Sequence, residues 1–256
     1  MKKRSILVFS GYGLNCEEET KFAFEQAGGK ADIVHINDLI AGLKKIKNYD
    51  ILAFPGGFSY GDDTGSGKAY ANKVRNHLWK DLQKHIEDKK LIIGICNGFQ
   101  ILTNLGILPG ALTFNDSARY LDRWVDVEVT GKSPWLTGIK KLSLPIAHGE
   151  GKFYAEAKTL AALEKNKQIA FRYVKGEATD YLDLPANPNG ALKNIAGVLA
   201  DEGRTLGMMP HPERGLFTTQ LPHFPYLKEQ SRRTGKKMSK LTPALQLFKN
   251  AIEYFQ

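Results

Sequence analysis

One cysteine lies at a turn whose residue types suit nucleophilic catalysis. Cys96 is the middle residue of the G-I-C-N-G sequence at 94–98, which follows an apolar run. A glycine two positions before and after the cysteine lets a strand and a helix approach closely, so the turn exposes the middle side chain at the carboxyl end of a sheet. The helix N-terminus favours a thiolate, and the backbone N–H of Asn97 is placed to bind an oxyanion. The pattern predicts a cysteine nucleophile; the alternative is a small buried core residue.

A histidine and a glutamate could activate this cysteine. They are His211 and Glu213 in the M-P-H-P-E-R sequence at 209–214. The two prolines favour an extended segment, and residues two apart in such a segment project to the same side. The carboxylate can therefore orient the imidazole, and the imidazole can serve Cys96 as a base. The alternative is a surface loop in which Glu213 pairs with Arg214.

Two consecutive glycines, Gly56 and Gly57, follow an apolar run at 51–54. Glycines after a strand allow backbone N–H groups to face a ligand. The N–H of Gly57 could therefore complete an oxyanion hole with that of Asn97. The alternative for this glycine pair is a tight turn.

Other ligand-binding patterns do not match. Gly67 and Lys68 lack the earlier glycine and the following Ser or Thr of a phosphate-binding loop. The 11–16 segment lacks the third glycine of a dinucleotide fingerprint. The cysteines and histidines show no zinc spacing along the sequence. We therefore predict no ATP, dinucleotide or metal site in this chain.

The elements that position these residues follow an alternating pattern. Apolar runs predict strands at 5–10, 32–36, 50–54 and 91–95, and amphipathic stretches predict helices at 15–28, 71–86 and 98–105. Asn15 is expected to cap the first helix, with Glu18 at capping-box spacing. Further strands are predicted at 124–129, 142–147, 169–174, 195–199 and 206–209. The chain is predicted to be α/β, an open, mostly parallel mixed sheet with helices on both faces in a flavodoxin-like three-layer sandwich.

The chain has 256 residues, two cysteines and a formal net charge of +9. The length fits a single domain (1–256) with a C-terminal helix at about 243–255, capped by Thr242 and led by Pro243. Two cysteines are too few for a disulfide framework. The first apolar run ends at Phe9, which is too short for a signal peptide or a membrane span. We expect a cytoplasmic protein with reduced cysteines and no membrane partner.

Much of the positive charge lies at 228–240, which holds six cations and one acid. Charge alone does not make a nucleic-acid binder, and the sequence shows no nucleic-acid-binding motif. We interpret residues 215–240 as a basic loop that is solvated or faces a protein partner, and we expect no nucleic-acid partner.

Taken together, these motifs resemble a known family. The G-I-C-N-G-F-Q sequence at 94–100 and M-P-H-P-E-R at 209–214 resemble the class I (triad) glutamine amidotransferases. Within them, the chain is similar to the glutaminase subunits of phosphoribosylformylglycinamidine synthase. That narrower resemblance rests on F-S-Y-G-D-D at 58–63, N-x-S-x-R at 115–119, A-H-G-E-G-K-F at 147–153 and N-P-N-G at 187–190.

The resemblance implies a role for each site residue. Cys96 would attack the side-chain amide of glutamine, His211 would shuttle protons with help from Glu213, and the N–H groups of Gly57 and Asn97 would bind the oxyanion. The implied substrate contacts are Gly56, Phe58, Gln100, Asn115 and Ser117. No cofactor is implied for this chain.

The resemblance also implies partners. Ammonia would pass to a large synthetase subunit, which would hold ATP and Mg and convert formylglycinamide ribonucleotide to the amidine. A small third subunit would join the complex. The basic 215–240 segment departs from the family pattern, and its cations Arg232, Arg233, Lys236 and Lys237 are hypothesised to contact an acidic face of the synthetase.

Three other functions are weighed against this one. The chain could be another cysteine hydrolase on the same scaffold, but such relatives usually carry their histidine beside the cysteine, where this chain has Asn97. It could be a non-catalytic regulatory subunit, which the intact Cys96, His211 and Glu213 disfavour. A nucleic-acid binder would rest on the basic charge alone.

Overall fold

The computed structural model describes residues 3–63 and 65–255. Its strands are β1 Ser5–Ser10, β2 Lys30–His35, β3 Ile51–Phe54, β4 Leu91–Ile95, β5 Ala111–Thr113, β6 Leu121–Val129, β7 Lys141–His148, β8 Lys152–Tyr154, β9 Ile169–Val174, β10 Ile195–Ala200 and β11 Thr205–Met208. Its α-helices are α1 Glu17–Gln26, α2 Ile36–Ile40, α3 Lys68–Glu87, α4 Asn97–Leu105, α5 Ala157–Lys165, α6 Glu177–Tyr181, α7 Phe224–Thr234 and α8 Leu245–Glu253.

A mixed sheet of nine strands organises the chain. The strand order is β2-β1-β3-β4-β11-β10-β9-β6-β7. The first five strands are joined by parallel pairings, and the remaining four are added through antiparallel pairings. The predicted α/β fold with an open mixed sheet is confirmed. Strands β5 and β8 form a separate two-stranded ribbon.

The strand order places helices on opposite faces of the parallel half. The chain moves from β1 outward to β2, and later from β3 in the other direction to β4. Because crossovers between parallel strands are right-handed, α1 and α3 lie on opposite faces. Helix α1 packs with α8 through an edge-to-face contact of Phe24 with Phe248, at 5.0 Å between ring centroids. Helix α3 packs with α4.

The central strands are apolar along their whole length because helices cover both sides of them. Every residue of β3 and of β4 is buried. These two strands therefore form a rigid platform, and the loops that follow them at their carboxyl ends are held firmly. Within the described residues, no helix combines the length and apolar character needed to cross a membrane.

The start of the first helix differs from its prediction. Helix α1 begins at Glu17 with Cys16 at the N-cap position, and no side chain caps it. The prediction that Asn15 and Glu18 form a capping box is therefore wrong. The backbone N–H groups of Asn15 and Cys16 instead donate to the carbonyl of Gly56 at 3.1 Å. The loop is thus attached to the neighbouring strand end, a long-range contact that local spacing does not encode.

The basic segment also differs from its prediction. Residues Phe224–Thr234 form helix α7, so 215–240 is not a loop throughout. A proline in the first turn favours helix initiation, and Glu229 pairs with Arg232 and Arg233 one turn later, at 2.8 and 2.7 Å. Two of the four cations suggested for docking are therefore already paired, and the docking hypothesis stays a prediction.

The C-terminal helix starts slightly later than predicted. Helix α8 begins at Leu245, and Thr242 Oγ1 accepts a hydrogen bond from the N–H of Ala244 at 3.2 Å. The same hydroxyl donates to the carbonyl of Gly215 at 2.5 Å. Thr242 therefore fixes the approach to the helix. The apolar residues Leu245, Phe248 and Ile252 are buried as expected.

A buried histidine on α3 links the stability of this fold to pH. His85 is 2% exposed, and its Nε2 donates to the carbonyl oxygen of Leu91 at 3.2 Å. Burial lowers the pKa of His85 to about 4, although the bond to Leu91 opposes the shift. The folded protein therefore holds this ring neutral at pH values where the unfolded chain protonates it.

We predict that this histidine makes the protein less stable in acid. Its full contribution is present above the ordinary histidine pKa of about 6.5 and is lost as the pH falls toward 4, up to roughly 3 kcal/mol. The variant His85→Gln keeps a donor for Leu91 and does not titrate. Urea unfolding between pH 4 and pH 7 should show a shallower pH dependence for this variant. The exposed control His77→Gln should match the wild type, and equal slopes for His85→Gln and wild type would contradict the assignment.

Candidate active site

Cys96 lies on a strained turn between β4 and α4. Its φ is 50° and its ψ is −106°, in a region that residues with a side chain rarely adopt. A Cβ on Gly94 would lie 2.6 Å from the carbonyl oxygen of Gly98, and a Cβ on Gly98 would overlap the carbonyl oxygen of Phe54. Both glycines are therefore required for strand and helix to approach, as the sequence indicates.

Backbone contacts fix the orientation of the cysteine. The N–H of Cys96 donates to the carbonyl of Met208 on β11 at 2.8 Å. Its Sγ lies 3.6 Å from the carbonyl oxygen of Ala147 at the end of β7. Asn97 is the first residue of α4, so its N–H has no acceptor within the helix. A polarised N–H is therefore available directly beside the thiol.

His211 and Glu213 form a buried hydrogen-bonded pair. Nδ1 of His211 lies 2.6 Å from Oε1 of Glu213, and the two residues are 2% and 3% exposed. The N–H of His211 donates to the carbonyl of Pro145 at 2.9 Å, which attaches the segment to β7. Residues Pro212–Arg214 form a 3₁₀ turn rather than an extended segment. The carboxylate of Glu213 therefore orients the imidazole, as predicted. Arg214 pairs with Glu19 at 3.7 Å rather than with Glu213, so the surface-loop alternative is wrong.

The surroundings of the histidine favour its charged form. Burial opposes protonation of His211 and is the largest single influence on it. The Glu213 carboxylate and the Cys96 and Cys16 sulfurs together outweigh burial, so the pKa of His211 lies well above its ordinary value. A protonated imidazole between a carboxylate and a thiol is suited to stabilise a thiolate and to donate a proton to a leaving group.

A second thiol lies at the same histidine. The Sγ of Cys16, a ring nitrogen of His211 and a carboxylate oxygen of Glu213 all lie within 4.8 Å of one another. Cys16 is 3% exposed, and burial raises the pKa of its thiol while hydrogen bonding with His211 opposes the shift. Sequence spacing missed this residue. The available signal was its place after β1, because the carboxyl ends of neighbouring parallel strands share one edge of the sheet.

The glycine pair closes the space between these groups. A Cβ on Gly56 would lie 2.6 Å from Cε1 of His211 and 3.2 Å from Sγ of Cys16. Gly57 has a φ of 154°, and a Cβ there would lie 2.5 Å from the carbonyl oxygen of Gly13. Both positions therefore exclude any side chain, and tight packing explains the two consecutive glycines.

The loop after β3 is attached to the start of α4. The N–H of Ser59 donates to Oδ1 of Asn97 at 3.1 Å, and Gly98 packs against the carbonyl of Phe54. Phe54 precedes Gly57 in the chain and Ser59 follows it, so the two contacts hold the loop before and after this glycine. The structure thus brings together the two loops that carry the predicted oxyanion donors, Gly57 and Asn97.

Two of the predicted substrate contacts, Gln100 and Asn115, form side-chain hydrogen bonds with other groups of the protein. Gln100 donates through Nε2 to the carbonyl of Glu150 at 2.6 Å and accepts from Nδ2 of Asn97 at 2.8 Å. Asn115 donates to the carbonyls of Arg119 and His148 at 2.8 and 2.9 Å. Both side chains are buried. Each amide therefore shapes a neighbouring loop in this structure.

Two further predicted contacts, Phe58 and Ser117, lie on the surface. Phe58 is 41% exposed, and its ring lies 5.8 Å from that of Tyr120. Ser117 is exposed and accepts a hydrogen bond from the N–H of Arg119 at 3.3 Å. Burial raises the pKa of Tyr120, and the charge of Cys96 contributes in the same direction.

The A-H-G-E-G segment forms one wall beside the thiol. His148 is buried, and its Nδ1 lies 3.1 Å from Oδ1 of Asn115, which also accepts from the N–H of Gly151 at 3.2 Å. Burial, helped by the charge of His211, lowers the pKa of His148 to about 3. The ring is therefore neutral at ordinary pH and acts as a fixed support for the wall.

We predict that Gly98→Ala destabilises the protein by about 3 kcal/mol or more, because the new methyl group would overlap the backbone of β3. Urea unfolding measures this change. Gly215→Ala is the control, because a Cβ there meets nothing closer than 3.4 Å and should change stability by about 1 kcal/mol or less. A Gly98→Ala protein as stable as the control would show that the close approach of strand and helix is not required.

Comparison with known proteins supports a family assignment. The sequence model described as CobB/CobQ-like glutamine amidotransferase domain matches residues 3–255. A phosphoribosylformylglycinamidine synthase subunit PurQ from Methanococcus maripaludis strain C7 is 50% identical, with 98% of this chain and 97% of the relative covered. A subunit of the same name from Dehalococcoides mccartyi is 39% identical, with 99% and 98% covered.

Solved structures agree with this result. The structure of PurLQS from Thermotoga maritima matches with a TM-score of 0.75 and 29% identity, and all of both chains is covered. A glutamine amidotransferase from Thermotoga maritima matches with a TM-score of 0.56 at 14% identity, with 99% of this chain and 98% of that chain covered, which supports the fold alone. The chain belongs to the CobB/CobQ-like glutamine amidotransferase family.

Proposed function

We propose that this chain is the glutaminase subunit of phosphoribosylformylglycinamidine synthase, an enzyme of purine biosynthesis. The observation that carries the proposal is the cluster of Cys96, His211 and Glu213 in a chain that matches subunits of that name along nearly its whole length. The subunit hydrolyses glutamine to glutamate and supplies the ammonia to a synthetase.

The first half of the reaction forms a thioester. The Cys96 thiolate attacks the carbon of the glutamine side-chain amide and forms a tetrahedral intermediate. The N–H groups of Asn97 and Gly57 bind the oxyanion, which develops where the helix N-terminus also favours negative charge. His211 donates its proton to the amide nitrogen, the carbon–nitrogen bond breaks, and ammonia leaves.

The second half regenerates the enzyme. His211, now neutral, accepts a proton from a water molecule, and the resulting hydroxide attacks the thioester carbon. The carbon–sulfur bond breaks, glutamate leaves, and Cys96 returns as a thiolate beside a protonated His211. Glu213 holds Nδ1 throughout, so Nε2 faces the reacting atoms at each step.

The proposed substrate contacts divide into three groups. Gln100 and Asn115 act through the loops that they hold, since their amides are engaged with the 147–151 wall. Gly56 leaves room beside the imidazole. Phe58 and Ser117 are exposed, and we propose that they contact glutamine or the partner.

The ammonia acceptor lies on another subunit. The solved relative carries the name PurLQS, which supports partnership with a synthetase subunit. We place the ATP and Mg that drive the acceptor reaction on that synthetase. A small third subunit completes the proposed complex.

The main test separates glutamine hydrolysis from synthesis. We predict that Cys96→Ala abolishes glutamine-dependent formation of formylglycinamidine ribonucleotide by the complex with the cognate synthetase, while synthesis with added ammonium salt continues. The reason is that the thiol serves the release of ammonia and takes no part in its use. Product formation with each nitrogen source measures both reactions. Loss of both activities in an intact complex would contradict the division of labour, and retained glutamine-dependent synthesis would exclude Cys96 as the nucleophile.

A second test addresses the carboxylate. We predict that Glu213→Gln lowers kcat by about 10²-fold to 10⁴-fold, because the imidazolium loses its orienting charge. Loss of the carboxylate also lowers the pKa of His211, so the basic limb of the pH profile of kcat/KM should move to lower pH. Glu19→Gln is the matched control, since Glu19 pairs with Arg214 rather than with His211. An unchanged basic limb for Glu213→Gln would contradict the proposed role.

A further inference from the structure

We propose that Cys16 is a positioning residue for His211: its sulfur packs beside the imidazole and holds the ring in the orientation in which Nε2 faces Cys96. The expected effect on rate rests on the proposed glutaminase function. The position of the ring can be measured without turnover, so failure of the proposed function and failure of this inference give different results.

Cys16 is held by groups outside the segment that carries the histidine. Its backbone N–H donates to the carbonyl of Gly56 at 3.1 Å, and its carbonyl accepts from the N–H and the hydroxyl of Thr20 at 3.1 and 2.7 Å. The residue is 3% exposed. The sulfur is therefore fixed by the start of α1 and by the loop after β3, and not by the segment at 209–214.

The sulfur and the ring border the same small space above Gly56. A Cβ on Gly56 would lie 3.2 Å from Sγ of Cys16, 2.6 Å from Cε1 of His211 and 3.3 Å from Nδ1 of the same ring. Sγ also lies within 4.8 Å of a ring nitrogen of His211 and of a carboxylate oxygen of Glu213. The sulfur therefore lies beside the edge of the imidazole that carries Cε1 and Nδ1, which is the side that Glu213 holds.

Glu213 alone does not fix the direction of the ring. It contacts one atom, Nδ1, at 2.6 Å, whereas Nε2 is buried and has no hydrogen bond among the described residues. A planar ring held at one atom can still tilt about that atom, and a tilt moves Nε2 away from the thiol of Cys96. A sulfur at the ring edge opposes this tilt. The consequence for rate is large, because a displacement of about 1 Å between reacting groups costs roughly 10²-fold.

The thiol is suited to this edge because its proton is used elsewhere. Sγ of Cys16 donates to Oδ1 of Asn15 at 3.5 Å, so its lone pairs are free to meet the positive edge of the ring. Burial raises the pKa of the Cys16 thiol, so this thiol stays neutral and does not compete with Cys96 as a nucleophile. The sulfur thus stabilises the imidazolium without adding a charge to the site.

Steady-state kinetics of the complex with the cognate synthetase tests the effect on rate. We expect Cys16→Ala to lower kcat for glutamine hydrolysis about tenfold and to change KM by less than about twofold, because it alters the ring position and not glutamine binding. Cys16→Ser keeps the lone pairs and should recover most of the rate. Ala23→Gly also alters a buried residue of α1, is the control for lost stability and should keep the wild-type kcat. A wild-type kcat in Cys16→Ala, or a Cys16→Ser enzyme no faster than Cys16→Ala, would overturn the proposal.

NMR titration of the histidine rings tests the contact without turnover. The titratable groups around His211 lie on several loops and strands, and they are Cys16, Cys96, Tyr120, His148 and Glu213. Cys16→Ala changes only one of them. In the full chain with isotope-labelled histidine, loss of the sulfur should move deprotonation of His211 to lower pH by about 0.2 to 1 pH unit, the size of a sulfur–ring contact. Cys16→Ser should restore most of the wild-type titration.

The same spectra contain an internal control. The exposed His77 on α3 should titrate identically in the wild type and in both Cys16 variants. An unchanged His211 titration in Cys16→Ala would overturn the proposal even if kcat fell. If the wild-type complex released no glutamate from glutamine while the His211 titration shifted as expected, the proposed function would fail and the positioning role of Cys16 would stand.

Discussion

The close approach of α4 to the end of β3 is the constraint on which the rest of the site depends. It requires glycine at 98, forces Cys96 into its strained conformation and directs the N-terminus of α4 toward the thiol. Strain of this kind persists only when the surroundings hold it in place. Here the fully buried strands β3 and β4 and the bond from Cys96 to Met208 provide that support.

Around this turn, the site is assembled from strand ends rather than from one segment. The loops after β1, β3, β4 and β11 meet at one edge of the parallel half of the sheet, and each supplies one part of the cluster. Hydrogen bonds between loops then set the spacing. The carbonyl of Gly56 accepts from the N–H of Cys16, and Oδ1 of Asn97 accepts from the N–H of Ser59. Catalytic distances therefore depend on sheet order and on the contacts that β7 makes with His211 and Cys96.

The sequence predicts a site residue best where only one local arrangement explains the residue type at that position. The glycines around Cys96 and the pairing of His211 with Glu213 follow from backbone sterics and short spacing, and the strand at 169–174 has the predicted bounds. It was least informative where a side chain meets a distant partner. The cap predicted at Asn15 is absent because the loop contacts Gly56 instead. The side chain of Asn115 holds the 147–151 wall, and its substrate role stays a prediction.

The side-chain amides of Gln100 and Asn115 are hydrogen-bonded to other protein groups, which keeps the site rigid while His211 gains and loses its charge. A buried histidine that gains and loses a proton needs surroundings that do not collapse around either form. Asn97, Gln100 and the carbonyl of Glu150 form a connected chain of hydrogen bonds from α4 to the 147–151 wall. That wall also holds His148, which burial keeps neutral. The positive charge therefore stays on His211 beside Glu213, where the carboxylate stabilises it and the thiol can use it.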